Sequence, residues 1–268
     1  MPDREGQERS PDRIGPLRRS FQVPQLEPAW TLLERLDPRP RERLMVVPAR
    51  NGDLVASICA FHREGRITGV EENPRLAVEC RRRLADQEKG DTRVEILEAP
   101  YRAVPEPGAH DALICHCHMP VIREPGGFLG ALGSNLRPGG RFCLQLPLSP
   151  FCQVLEEALY AALDRSAALP AKDDLCPPAD PQEIRKLLGE QGFREVEMED
   201  LIFLQAFDSV MGAADTLLAG GGWTGMEEMD SGEQEELLTE IRLRLARALK
   251  TDGPVELPFL RLLVWGRR

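Results

Sequence analysis

The stretch RLMVVPARNGDLVASICAFHREGRITGVEE (43–72) decides the fold. Its apolar run, Leu44 to Val47, has the length and branched content of a short buried strand. The turn-forming segment PARNG interrupts that run, and a helical pattern follows from Gly52 to Phe61. A second β-type run, Ile67 to Val70, ends on the acid Glu71. Strand, tight loop, crossover helix and second strand form the βαβ unit of a parallel sheet.

The same pattern continues on either side. Upstream, Leu26, Trp30, Leu33 and Leu36 fall on one face of a helix that stops before Pro38. Residues 1–20 are rich in Pro, Arg and acids and hold little that could repay ordering, so they are expected to form a flexible tail. Downstream, Asn73-Pro74 supplies a cap and a first-turn proline for a helix whose buried side is Leu76, Val78, Cys80 and Leu84. Val94 to Leu97, Asp111 to Cys117 and Arg141 to Leu146 are the next strands, with a helix ending at Leu136 before the tight turn RPGG. Strands and helices alternating at this spacing indicate a doubly wound α/β sheet.

Beyond Pro147 the pattern changes. A helix spans Phe151 to Leu163, and Asp180-Pro181-Gln182-Glu183 caps another that Gly192 closes. Glu195 to Phe207 reads as a sixth strand and Leu257 to Trp265 as a seventh. Between them, Ser209 to Lys250 is mostly helical. Ser231-Gly232-Glu233-Gln234 is a capping-box pattern there, and Leu237, Ile241, Leu245 and Leu249 form a stripe. The expected organisation is one domain over 21–268. Its core strands lie within about 44–146, 195–206 and 257–266, and a helical cap spans about 207–250.

Bulk properties narrow the function. A net charge of −10 disfavours nucleic acid or an anionic membrane as partner. No apolar run is long enough to span a bilayer, and the first residues carry no apolar segment of a secretory signal. Seven scattered cysteines are expected to be reduced thiols of a cytoplasmic protein.

Four segments carry a family resemblance: ITGVEENPRL (67–76), LRPGGRFCLQLP (136–147), DPQEIRKLLGEQGFREVE (180–197) and VELPFLRLLVWGRR (255–268). They resemble the second strand, the fifth-strand entry, the helix before the sixth strand and the closing strand of class I S-adenosylmethionine-dependent methyltransferases. The chain is most similar to the branch containing trans-aconitate methyltransferase and the malonyl-carrier-protein methyl-ester enzymes. That resemblance implies a mostly parallel, seven-stranded, Rossmann-like sheet with only the last strand antiparallel, and a helical insert before it. It also implies S-adenosyl-L-methionine as cofactor.

The implied ligand contacts transfer unevenly. The acid and glycines that follow the family's first strand fall on Val46, Pro48, Arg50 and Gly52, and only Gly52 matches. Pro48 fixes φ and has no N–H to donate, so this loop is degenerate as a ligand-hugging turn. Arg50 either pairs with the cofactor carboxylate or fills the cofactor's place with Pro48. Glu71 matches the acid that receives the ribose hydroxyls, with Glu72 beside it as sharing the role or capping the Asn73 helix. Glu98-Ala99 stands where the family has the adenine-contacting pair, and Cys115 ends the fourth strand in CHCHMP.

In Cys115-His116-Cys117-His118, alternate residues of a strand face opposite sides, so no closed metal site follows and none is expected. His116 or His118 could instead orient a substrate or take a proton, and Tyr101 is a third candidate catalytic group. Arg123, Trp223 and Arg261 are candidate substrate contacts, with Arg102 near them. The ordinary reading of each arginine is a solvated surface charge.

The expected function is S-adenosylmethionine-dependent methyl transfer to a small molecule, for which a carboxylate is one candidate acceptor. The alternatives are an inactive methyltransferase-fold protein that binds or regulates a protein partner, and a related nucleotide binder that uses Glu71.

Overall fold

The computed structural model describes residues 27–62, 64–85, 91–101, 106–116, 125–148, 152–163, 180–219 and 231–268. The opening stretch folds as its pattern dictates. β1 (Arg43–Val47) leads into α2 (Asp53–Phe61) and β2 (Glu64–Glu71), with α1 (Glu27–Leu36) preceding them. α3 (Pro74–Ala85), β3 (Asp91–Glu98), β4 (His110–His116), α4 (Pro125–Asn135) and β5 (Leu136–Pro147) follow. The remainder is α5 (Gln153–Leu163), α6 (Pro181–Glu190), β6 (Arg194–Phe207), α7 (Val210–Ala219), α8 (Ser231–Leu249) and β7 (Val255–Arg267).

The seven strands form one sheet in the order β3-β2-β1-β4-β5-β7-β6. The pairs from β3 through β5 are parallel, and β7 runs antiparallel to both β5 and β6. Strand order therefore runs outward in both directions from β1 and reverses direction between β1 and β4. That crevice, at the carboxyl ends of the strands, is where open α/β sheets receive ligands.

Two cores sandwich the sheet. On one face Trp30, Leu33 and Leu36 of α1, Val55 and Ile58 of α2, and Cys80 and Leu84 of α3 pack on Leu44, Val46, Ile114 and Leu263. On the other, Phe128, Leu132, Ile184, Leu188 and Phe193 pack on Met45, Leu113, Cys115 and Leu144. Complete burial of strands on both faces explains why β1 and β4 read as continuous apolar runs.

A third core stands beyond the sheet. The last β5 pair with β7 is Pro147 with Arg261, whereas β6 and β7 stay paired on to Phe207 and Val255. The six β7 residues past Arg261 extend about 20 Å at strand rise. Phe207, Leu257 and Phe259 on this arm pack against Leu155 and Leu159 of α5, Val210 and Ala213 of α7, and Leu237, Ile241 and Leu245 of α8. The cap so formed rises from the carboxyl edge where β1, β2 and β4 end.

Two expectations change. Val78 is 60% exposed, because Ala77, Cys80 and Leu84 define the buried side of α3 and Val78 lies off that line. The RPGG segment is a bulge within β5 rather than a turn before it. His110 pairs with Leu136 and Ala112 with Arg141, so residues 137–140 are looped out with Gly139 at φ 76°. The caps are as expected: the Asn73 side chain accepts from Arg75 N–H, and Asp180 from Gln182 N–H.

Candidate functional site

The turn after β1 is built from its own backbone and from β2. Pro48 follows a cis peptide bond, Ala49 N–H donates to Val70 O at 2.8 Å, and Arg50 adopts a left-handed φ of 49°. Gly52 (φ 89°) begins α2, and a Cβ there would lie 2.9 Å from Cys80 Sγ. Close approach of α3 is therefore a sufficient reason for the one glycine this loop retains.

Glu71 lies at the tip of β2, and its side chain is fully buried. Its Oε1 accepts from Tyr101 O–H at 2.5 Å and from Asn73 N–H at 3.0 Å. Its Oε2 accepts from Arg50 N–H at 2.7 Å. A carboxylate has about four acceptor positions, so the chain fills both on Oε1 and leaves one on Oε2. Burial and the Glu71 carboxylate push the Tyr101 phenol well above its ordinary range, so its proton stays committed to Glu71. Glu72, exposed, accepts from Tyr101 N–H at 3.4 Å. Ala99 N–H donates to the Glu71 carbonyl, and Glu98 pairs with Arg81 at 3.7 Å.

Across the crevice, His116 ends β4 half-buried and paired in register with Gln145 of β5. Gln145 is opposite Leu263 of β7, and Pro147 is opposite Arg261. Registered partners and alternate residues share a face, which puts His116, Gln145 and Arg261 together. Gly69 pairs with Val46 and Val46 with Ile114, so Glu71 and His116 share that face as well. At strand spacing, Glu71 is about 10 Å from His116 and about 14 Å from Gln145. Burial, and then the cations of Arg50 and Arg261, lower the His116 pKa to about 3. The imidazole is therefore neutral at physiological pH.

Of the residues singled out by sequence, this edge gathers Pro48, Arg50, Gly52, Glu71, Glu72, Glu98, Ala99, Tyr101, His116 and Arg261. Cys115 belongs to the opposite core. Arg261 is no surface charge: it is 8% exposed, with its guanidinium 5.5 Å from the Phe259 ring. His118, Arg102, Arg123 and Trp223 lie outside the described residues. Sequence reasoning missed Gln145. Its signal was an amide inside the apolar run FCLQLPL.

The residues present fit the two ends of S-adenosylmethionine unequally. Glu71 offers a buried carboxylate for ribose hydroxyls, and one acceptor position is open while Tyr101 stays in place. Where the resemblance implies an acid and glycines for the amino-acid end, the chain has fully buried Val46 and the turn formed by Pro48 and Arg50.

A sheet with this strand order, one antiparallel strand and a cap at its carboxyl edge gives the chain the Rossmann-like fold of class I methyltransferases. No family model matches it. In sequence it is similar to trans-aconitate 2-methyltransferase of Methylobacterium nodulans, with 26% identity over 251 residues, 90% of this chain and 92% of that one. Among solved structures it superposes on a putative methyltransferase of Bacillus halodurans with TM-score 0.58 and 13% identity, covering 88% of this chain and 96% of that chain. It also superposes on phosphoethanolamine N-methyltransferase 2 of Haemonchus contortus with S-adenosylhomocysteine bound. That match has TM-score 0.55 and 11% identity, over 89% of this chain and 51% of that chain.

Proposed function

We propose that this protein is an enzyme that transfers a methyl group from S-adenosylmethionine to a carboxylate of a small molecule. The observation that carries the reading is Glu71, a fully buried carboxylate at the tip of β2, on the ligand-binding edge of a methyltransferase fold. The similarity to a trans-aconitate 2-methyltransferase supports the acceptor class.

When bound, S-adenosylmethionine would supply an electrophilic sulfonium methyl for an acceptor lone pair, the sulfur retaining the electrons of the broken bond. Glu71 holds the ribosyl end through its carboxylate. The Arg50 guanidinium, at the crevice between β1 and β4, pairs with the carboxylate of the amino-acid end. His116 keeps an imidazole lone pair at the acceptor side because it is neutral. An ionised carboxylate needs no general base, so the work left to the chain is positioning and exclusion of water. The cap above the edge supplies the covering surface.

Calorimetric titration with S-adenosylhomocysteine tests the reading. Saturable binding in the micromolar range is expected, with loss of at least tenfold affinity in Glu71→Ala. No binding at millimolar ligand, or unchanged affinity in that variant, defeats it.

A further inference from the structure

β6 is an outermost strand of the sheet, and it pairs on one side only, with β7. In an antiparallel pair alternate residues turn their N–H and C=O groups away from the partner, so the outer side of β6 presents a row of such groups. The first part of that edge is blunted. The pairing shifts between Arg194 and Glu197, with Glu195 at φ 52°, and Arg185 of α6 donates to the Val196 carbonyl at 2.9 Å. Glu197, Glu199 and Asp200 then place charge along it.

The second part carries no such protection. LIFLQAF (201–207) holds no charge, proline or glycine. Among the described residues, its backbone groups bond to nothing but β7. Ile202 is 68% exposed and Leu204 61%, more than any other large apolar side chain among the described residues. Both lie on the face of β6 that points away from the cap, because the alternate residue Phe207 packs into the cap. The opposite sheet edge differs: β3 carries Asp91, Arg93, Glu95 and Glu98 along its length.

We infer that residues 199–207 pair antiparallel with the same residues of a second copy of this chain, about a two-fold axis at Phe203, joining two sheets edge to edge. The strand is complementary to itself in this register. Ile202 faces Leu204 of the second copy, Leu204 faces its Ile202, and Phe203 meets Phe203. Asp200 faces Ala206 and Glu199 faces Phe207, so no two carboxylates are opposed. Moving the axis back to Leu201 sets Asp200 against Ile202 and Glu199 against Phe203, and moving it forward to Gln205 sets Ile202 against Asp208. Nine residues give a contact about 30 Å long and about 10 Å deep, roughly 300 Å² from each copy. A stable interface takes about 800 Å² from each, so this dimer is weak, with Kd on the order of 100 µM.

Sedimentation equilibrium on the full chain, from about 10 µM to 1 mM, tests the pairing. A monomer–dimer equilibrium is expected. Ile202→Lys should raise its Kd at least tenfold while the melting temperature stays within about 1 °C, because the side chain is exposed. The register has its own readout. Residues paired at the axis have Cα atoms about 4.5–5.5 Å apart, so Phe203→Cys should give a disulfide-linked dimer under mild oxidation. Glu197→Cys should not, and the wild-type chain controls for the native thiols. A single monomeric species at 1 mM overturns the assignment and leaves the edge to a strand of another protein. A dimer unmoved by Ile202→Lys, or cross-linking as efficient at Glu197→Cys as at Phe203→Cys, overturns it as well. None of these outcomes depends on cofactor binding, so the methyltransferase reading is tested separately.

Discussion

Replacing Tyr101 with phenylalanine removes one hydroxyl and leaves the ring in its buried position. In the ligand-free protein that hydroxyl is one of three donors to the Glu71 carboxylate, alongside Arg50 N–H and Asn73 N–H. A hydrogen bond to a charged acceptor contributes about 1.5–3 kcal/mol, and more of it is felt where water cannot substitute. For a chain of this size each kcal/mol moves Tm by about 2–4 °C, so Tyr101→Phe should melt roughly 3–12 °C lower without ligand. The effect on binding has the opposite sign. A ribose that engages Glu71 with both hydroxyls must displace the Tyr101 proton from Oε1, because a single acceptor position on Oε2 is open. The phenylalanine variant has nothing to displace, so S-adenosylhomocysteine should bind about 10- to 150-fold tighter, as 1.5–3 kcal/mol requires. Thermal unfolding with and without ligand reads both effects in one experiment: a lower baseline Tm and a larger ligand-induced rise. An unchanged baseline refutes the contribution of the hydroxyl to Glu71. A lowered baseline with unchanged or weaker affinity refutes displacement and means that the ribosyl ligand is held through Oε2 alone.

His116, with a pKa lowered to about 3 from 6.5 by burial and two guanidinium cations, sets a pH dependence. Below pH 6.5 the unfolded chain takes up the proton and the folded chain does not. Stability is thus complete above pH 6.5 and falls with acidification by about 1.4 kcal/mol per pH unit from this group. Denaturant unfolding at pH 6.5 and 5.0 should show that slope reduced in His116→Gln, and parallel curves for the two proteins refute it. Gly52→Ala places a methyl at φ 89° against Cys80 Sγ and Cα, and should cost about 1–3 kcal/mol in denaturant unfolding. Adding Cys80→Ala relieves only the sulfur contact, so full rescue by the double variant contradicts the backbone part of this account.

The fold was legible in sequence because its strands are buried on both faces and its turns are punctuated. Leu44 to Val47, Ile67 to Val70 and the 136–147 segment announce themselves as short apolar runs closed by Pro, Gly, Asn or an acid. Val78 was misplaced because three residues on α3 decide its buried line, and an apolar residue one step off carries no local sign of exposure. The position of Glu71 was equally readable, but the three donors it already holds were not. Tyr101 O–H and Arg50 N–H reach it from separate loops, and no spacing rule encodes such a meeting. Arg261 looked like a surface charge because arginine usually is one. Its burial follows from β7 being enclosed between β5 and β6 and from the cap rising beyond it. Gln145 was visible as an amide among leucines, but its meaning depended on a register with His116 that only the assembled sheet supplies.

The two ends of this edge are polar in opposite ways. Glu71 has three of its four acceptor positions filled before any ligand arrives, with donors from the chain itself, whereas Gln145 has neither amide atom paired among the described residues. A ligand that engages both oxygens at the β2 end therefore exchanges a hydrogen bond that already exists, and part of its intrinsic affinity offsets the loss of Tyr101. A ligand at the β5 end would make hydrogen bonds where none exist and relieve an unfavourable burial. The same contact energy would consequently appear as weaker net affinity at Glu71 and stronger net affinity at Gln145. Between them stand Arg50, whose backbone serves Glu71 and whose charge acts on His116, and His116, neutral and facing the second cation of Arg261. Because Arg50 joins the two halves through a single residue, any displacement of its backbone from Glu71 also moves a charge at the acceptor end. On the proposed reading, the cofactor and its acceptor are coupled through that residue.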